Sequence, residues 1–195
     1  MDSFLFCLLL VSAIALGGRD QRLVAQLSDA LADTSAPLIR RPVPLLALGL
    51  VCAAVSAGVM AYAGLSLASL LPRRAEQMLV AFALGLAAFE LGWPVRMKPA
   101  KEPTRSLGAI GLVLLWRQLG DGARFVIFAF AAGAPYPLTA FVGGALGGSA
   151  ALGLGWWLGQ EQLARWPLAL IRRTLAMCLV VAALFIGLNA RYSVY

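Results

Sequence analysis

"RSLGAIGLVLLWRQLGDGARFVIFAFAAGAP", residues 105–135, is apolar for almost its whole length, yet Arg117, Gln118, Asp121 and Arg124 stand in its middle. A charge at the centre of a membrane helix costs about 2.5–3.5 kcal/mol on insertion scales, so such residues are normally paired or functional. Whether this stretch is a span with a polar break decides the fold.

The rest of the chain supports that reading. Of 195 residues, 61% are hydrophobic and 13% charged, and the mean hydropathy is +0.84. Soluble domains carry about 25% charged residues. The composition is that of an integral membrane protein whose first partner is the lipid bilayer. The net charge of +7 is spread between apolar stretches and forms no single basic patch, so it is no nucleic-acid signal. There is no histidine, which removes imidazole switches and His-based metal sites. Cys7, Cys52 and Cys178 lie in apolar runs without CxxC spacing and read as buried thiols acting as small hydrophobes.

A bilayer core takes roughly 20 apolar residues per helix. Six candidate spans follow: 3–31, interrupted by "GGRDQR"; 43–71; 75–94; 107–133, interrupted by "RQLGD"; 138–159; and 167–188. The first span carries an acidic flank, Asp2, instead of the basic one of a signal peptide, and reads as a mature helix. Prolines mark several boundaries, as in "RRPVP" and "GAPYP". With the N-terminus outside, the inner loops hold nine basic residues: Arg40, Arg41, Arg96, Lys98, Lys101, Arg105, Arg165, Arg172 and Arg173. The outer side holds three, Arg73, Arg74 and Arg191, which favours both termini outside and suits a bacterial inner membrane.

The two halves resemble each other. "ALGGRDQRLVAQL" (15–27) aligns with "QLGDGARFVIFAF" (118–130), "PVPLLA" (42–47) with "PYPLTA" (135–140), and "RRAEQMLVAFA" (73–83) with "RRTLAMCLVVA" (172–182). Residues 1–94 read as a first three-helix repeat, 95–105 as a cytoplasmic linker and 106–195 as a second repeat. Three helices per half is odd, so the halves insert with opposite orientation. The fold class is all-α, six transmembrane helices in two inverted repeats, a transporter architecture whose site lies between the halves near the midplane. Both polar breaks fall in the first helix of a half and are expected to meet.

These breaks resemble the E-x-G-D-[KR]-[ST] motifs of the Gdt family of Mn²⁺/Ca²⁺–proton exchangers in the LysE superfamily. In the first copy Gly17, Arg19 and Gln21 fit, while Ala15 and Gly18 stand where the family has acids. In the second, Gly120 and Asp121 fit, Gln118 replaces the glutamate, and Gly122 and Ala123 replace the basic and hydroxyl positions. The resemblance implies export of Mn²⁺ or Ca²⁺ coupled to protons, with Asp121 and Gln118 as cation ligands, Asp20, Gln21, Arg19 and Arg124 around them, and Gly17 and Gly120 allowing close helix crossing. The two breaks together hold two carboxylates, Asp20 and Asp121, and four guanidiniums, Arg19, Arg22, Arg117 and Arg124. That surplus opposes a divalent cation, which wants several oxygen ligands.

An exporter of a small organic or anionic solute is therefore the alternative, since guanidiniums recognise carboxylates. A non-transporting membrane protein that keeps the fold is a third reading. On the bland side, Asp20 and Asp121 pair with Arg19 or Arg124, Arg117 and Arg22 snorkel, and Glu90 is a boundary carboxylate beside Arg96. The glycines of 138–159, spaced GxxxG, serve packing within the chain before a homo-oligomer seam. Trp156, Trp157 and Trp166 flank a span end. No nucleophile–base pair, phosphate loop or cofactor motif is present, and the sequence makes no case for an enzyme.

Overall fold

The computed structural model describes residues 2–32, 41–94 and 106–192. The linker 95–105 and the basic residues Arg40, Arg96, Lys98, Lys101 and Arg105 lie outside the described residues. The described residues form eight helices and no strand: α1 (Asp2–Ala15), α2 (Arg19–Ala30), α3 (Val43–Ala68), α4 (Arg73–Gly92), α5 (Leu107–Leu119), α6 (Gly122–Gly133), α7 (Pro137–Arg165) and α8 (Leu168–Tyr192).

The two interrupted runs are broken helices. The first breaks at Leu16–Gly18, where Gly17 takes φ +67° and α1 turns into α2 by 63°. A Cβ on Gly17 would also lie 3.2 Å from Arg172 Cδ, so glycine is required both for conformation and for space. The second breaks at Gly120–Asp121, between the shorter apolar helices α5 and α6. By length and composition α3, α4, α7 and α8 can each cross a membrane, and the bent pair α1–α2 makes a fifth. Four or five crossings therefore stand where the sequence suggested six, because each polar break shortens its helices.

Apolar side chains cover the outside of the bundle as well as filling its core, and several polar ones are buried. Leu112, Met177 and Phe185 are 71%, 72% and 71% exposed, while Gln21, Ser28, Ser56, Gln118, Arg124 and Arg172 are buried. Large apolar side chains on the outside and small or polar ones inside suit a lipid solvent, in which close packing and internal hydrogen bonds hold helices together. Cys7 and Cys52 are buried as expected, but Cys178 faces outward with the apolar surface of α8.

Helix α7 is the hub. It packs against α1, α2, α3 and α6, and α4 packs against α8 and α6. Its glycines serve three neighbours. Added Cβ atoms at Gly143 and Gly147 would strike the α1 backbone at Phe4 and Leu8, at Gly144 the Ile127 side chain of α6, and at Gly155 the Gln21 backbone of α2. The GxxxG stripes are thus consumed within the chain.

At Gly159 (φ +71°) α7 breaks, and the first half supplies what the break releases. Arg41 donates to the carbonyls of Trp156 (2.7 Å) and Leu158 (3.2 Å). Asp29 accepts the Gln160 N–H at 2.6 Å and pairs with Arg41 at 3.1 Å. Arg41, in the loop before α3, is therefore also a structural clamp. Trp156, expected at the interface, points inward and donates its indole N–H to Pro42 O at 2.9 Å, leaving Trp157 and Trp166 outside.

Gly147→Val is expected to force α1 off α7, lowering the midpoint of thermal unfolding in detergent at a cost of about 3 kcal/mol. Gly153→Ala, whose Cβ meets nothing within 4 Å, should leave the midpoint unchanged or slightly raised. Equal effects of the two would contradict the close α1–α7 contact.

Candidate functional site

Breaking a helix inside a bundle exposes N–H and C=O groups that must find partners. At the first break Gln21 Oε1 accepts the Gly17 N–H at 2.6 Å, and Arg172 Nη1 donates to Leu16 O at 3.4 Å. At the second, Asp121 caps α6 by accepting the Ala123 N–H at 3.3 Å, and Glu90 Oε2 accepts the Gly122 N–H at 2.6 Å. Two of these four partners, Glu90 and Arg172, come from outside the breaks.

The two breaks meet. Arg117 Nε of α5 lies 3.1 Å from Asp20 Oδ1 of α2, an ion pair between the halves of the chain. The distance is that of an ion pair, but Asp20 Oδ1 accepts no aligned hydrogen bond. Deeper in, three helices contribute one buried triad. Ser56 Oγ of α3 donates to Gln118 Oε1 of α5 at 2.7 Å and accepts from Arg124 Nε of α6 at 2.8 Å, while Arg124 Nη2 donates to Gln118 Oε1 at 3.2 Å. Gly148 makes room for this, since a Cβ there would stand 2.9 Å from both terminal nitrogens of Arg124. Gln21 reaches the other way, its Nε2 donating to Ala151 O of α7 at 2.8 Å. In the alignment of the halves Gln21 and Arg124 occupy the same place, and each bonds to the second long helix of the opposite half.

Three hollows lie along the breaks, neighbours sharing lining residues. The outermost, about 700 Å³, has Arg19, Glu90, Gly122 and Arg172 on its floor. The next, about 60 Å³, is lined by Asp20, Glu90, Asp121, Arg19, Arg117 and Arg172. The innermost, about 20 Å³, lies among Asp20, Gln21, Gln118, Asp121 and Arg124, and the buried Gln118 Nε2 has no hydrogen-bond partner. A hollow of this size holds one water.

Several sequence expectations change here. Asp20 pairs with Arg117, whereas Arg19 or Arg124 was expected, so Arg117 does not snorkel. Arg19 instead reaches Glu90 Oε1 at 3.5 Å. Glu90 is accordingly a member of the site and not a boundary residue. Arg172, counted as a loop charge, is 5% exposed and lies within α8 against Glu90 O (3.0 Å). Gly17 does permit a close approach, to Leu168 and Arg172 of α8. Gly120 does not, since a Cβ there meets only its own turn at 3.8 Å, and the close crossing is made by Gly122, where a Cβ would stand 2.9 Å from Ala87 Cα. Gln118 Oε1, the carbonyl expected to face a cation, is occupied by Ser56 and Arg124. Arg22 lines a separate cavity of about 380 Å³ between α2, the end of α7 and the start of α8.

Sequence reasoning missed Glu90, Arg172 and Ser56. The first two are charged residues near helix ends, where a loop or interface position is the usual reading, and a serine in an apolar helix carries no signal of its own. Among the described residues no group of three or more His, Cys, Asp or Glu side chains is gathered so as to hold a metal ion. Comparison of the chain with family models, curated proteins and solved structures returns no match.

Ser56→Ala removes the hydroxyl that joins Gln118 to Arg124 and is expected to destabilise the fold by about 1–3 kcal/mol, the cost of leaving buried polar groups short of a partner. Ser66→Ala, on the exposed side of the same helix, should change stability by less than about 0.5 kcal/mol. Thermal unfolding in one detergent compares the two.

Proposed function

We propose that this chain is a secondary transporter in which two inverted three-helix halves move against each other around their broken first helices. The carrying observation is the meeting of the two breaks across Asp20–Arg117, with hollows running into that contact. Discontinuous helices at corresponding positions of two halves are a feature of such transporters, because unwound backbone and half-helix ends bind cargo and coupling ions. The reciprocal reach of Gln21 and Arg124 supports the repeat. So does the helix pairing, α3 with α7 and α4 with α8 across the centre.

One unequal pairing supports a mobile arrangement. Helix α6 packs along α4, but its counterpart α2 stands off α8, with the cavity of about 380 Å³ beside it. Alternating access by rocking of the halves would close α2 on α8 while α6 parts from α4. In this reading both short broken pairs cross the bilayer, giving six spans, with a possible oligomer left open. Removing Arg172 from the nine inner basic residues leaves eight against three, which still supports both termini outside, in a bacterial inner membrane.

For the cargo, the charge inventory supports a small anionic or zwitterionic solute. Arg19, Arg117, Arg124 and Arg172 face only three carboxylates, Asp20, Glu90 and Asp121. A second reading is Mn²⁺ or Ca²⁺ exchange with protons, as the Gdt resemblance implies; the three carboxylates line one hollow of about 60 Å³ but would have to draw closer to hold an ion. In it the guanidiniums swing aside and Asp121 ligates the ion.

The purified protein in liposomes with an imposed pH gradient tests both. Flux is expected for amino acids or organic acids and is expected to fall to background in Asp20→Asn and Asp121→Asn. Flux confined to Mn²⁺ or Ca²⁺ selects the second reading. No flux of any panel member, with folded protein, removes the transporter.

A further inference from the structure

We propose that the cavity of about 700 Å³ is a binding site for a small amphipathic carboxylate, and that the Glu90 carboxylate occupies the position of the ligand's head group. This rests on the transporter reading and names the substrate class of its outer site.

Head-group chemistry is present on the floor. Glu90 Oε2 accepts the first amide of α6, Gly122 N–H, at 2.6 Å, and Glu90 Oε1 lies 3.5 Å from Arg19 Nη2. Arg172, buried beside them, is tied to the backbone carbonyls of Leu16 and Glu90 and adds a second cation. Two guanidiniums, Arg19 and Arg172, thus stand around the Glu90 carboxylate, with the Asp121 carboxyl hydrogen-bonded to Glu90 behind it. A Cβ at residue 122 would stand 2.9 Å from Glu90 Oε2, so glycine is what lets a carboxylate oxygen reach that amide. An amide at a helix start, a guanidinium above it and a carboxylate between them is an anion site with a tethered anion in place.

The walls are apolar. Phe89, Trp93 and Phe125 line the cavity, and its volume falls within the ~300–1,000 Å³ of small-molecule sites. A carboxylate on an apolar body matches two guanidiniums and a helix-start amide beneath aromatic walls. When such a ligand enters, its carboxylate takes the Gly122 amide and Arg19, and the Glu90 side chain turns away into the open cavity. Because Gly122 begins α6, the exchange also frees α6 from α4, linking occupancy to the rocking of the halves.

Calorimetric titration of the purified full chain in detergent tests this with phenylacetate, phenylacetamide and phenethylamine as probes. Phenylacetate is expected to bind at least about ten-fold more tightly than the neutral and cationic analogues, the effect of one charge-assisted group. Glu90→Gln keeps an oxygen for the Gly122 N–H but removes the competing charge, and should tighten phenylacetate about ten-fold. Arg19→Gln, at a side chain 59% exposed, should weaken it by a similar factor. Equal binding of acid and amide, or no gain in Glu90→Gln, overturns the proposal. So does phenylacetate displaced by added phosphatidylglycerol in wild type, which would make this a lipid site. Transport is judged separately in liposomes. Binding without flux sinks the transporter and keeps the site, whereas flux without phenylacetate binding does the reverse.

Discussion

A helix can be interrupted inside a lipid-facing bundle only if other groups take over the hydrogen bonds it gives up. Here the breaks after α1 and α5 place that demand inside the bundle, and the answer comes half from the breaks themselves and half from other helices. Gln21 closes back onto Gly17, Arg172 of α8 reaches Leu16 O, Glu90 of α4 takes the Gly122 amide, and Asp121 caps α6. The last helix of each half thus supports a break, α8 the first and α4 the second.

Such an interior depends on close approach. In lipid no hydrophobic effect drives helices together, so backbone proximity and internal polar contacts must do so. Helix α7 provides the proximity. Its glycines meet α1 at Gly143 and Gly147, α6 at Gly144 and Gly148, and α2 at Gly155. Gly148 couples packing to charge, because the absent side chain is the space that the Arg124 guanidinium fills. The Arg41–Asp29 clamp at Gly159 repeats the rule seen at the other breaks, with a charged pair from one half repairing a helix of the other.

The site is a set of compensated charges. Each carboxylate has a guanidinium or a helix start within reach, and each of Arg19, Arg117, Arg124 and Arg172 has an oxygen partner. Buried pairs of this kind contribute little net stability, because desolvation offsets attraction, yet removing one partner leaves a costly lone charge. A ligand or proton that changes one member therefore shifts the others. Asp20 Oδ1 is held by its ion pair with Arg117 alone, the buried Gln118 Nε2 has no hydrogen-bond partner, and both residues line the innermost hollow.

The membrane class, the helical content, the positions of both breaks and their mutual approach were legible from residues 15–27 and 105–135 and from the order of three matching segments. They were legible because polar residues in an apolar run have few places to go. Partner choice was not. The sequence suggested Arg19 or Arg124 for the aspartates, a loop for Arg172, an interface for Glu90 and Trp156, and a crossing at Gly120. The structure instead gives Asp20–Arg117, an Arg172 buried in the bundle, a Glu90 on the α6 amide, an inward Trp156 and a crossing at Gly122. Hydropathy fixes how deep a residue sits along its own helix. Which helix faces it, and at what rotation, depends on how glycine-lined surfaces fit together, and only the packed tertiary structure decides that.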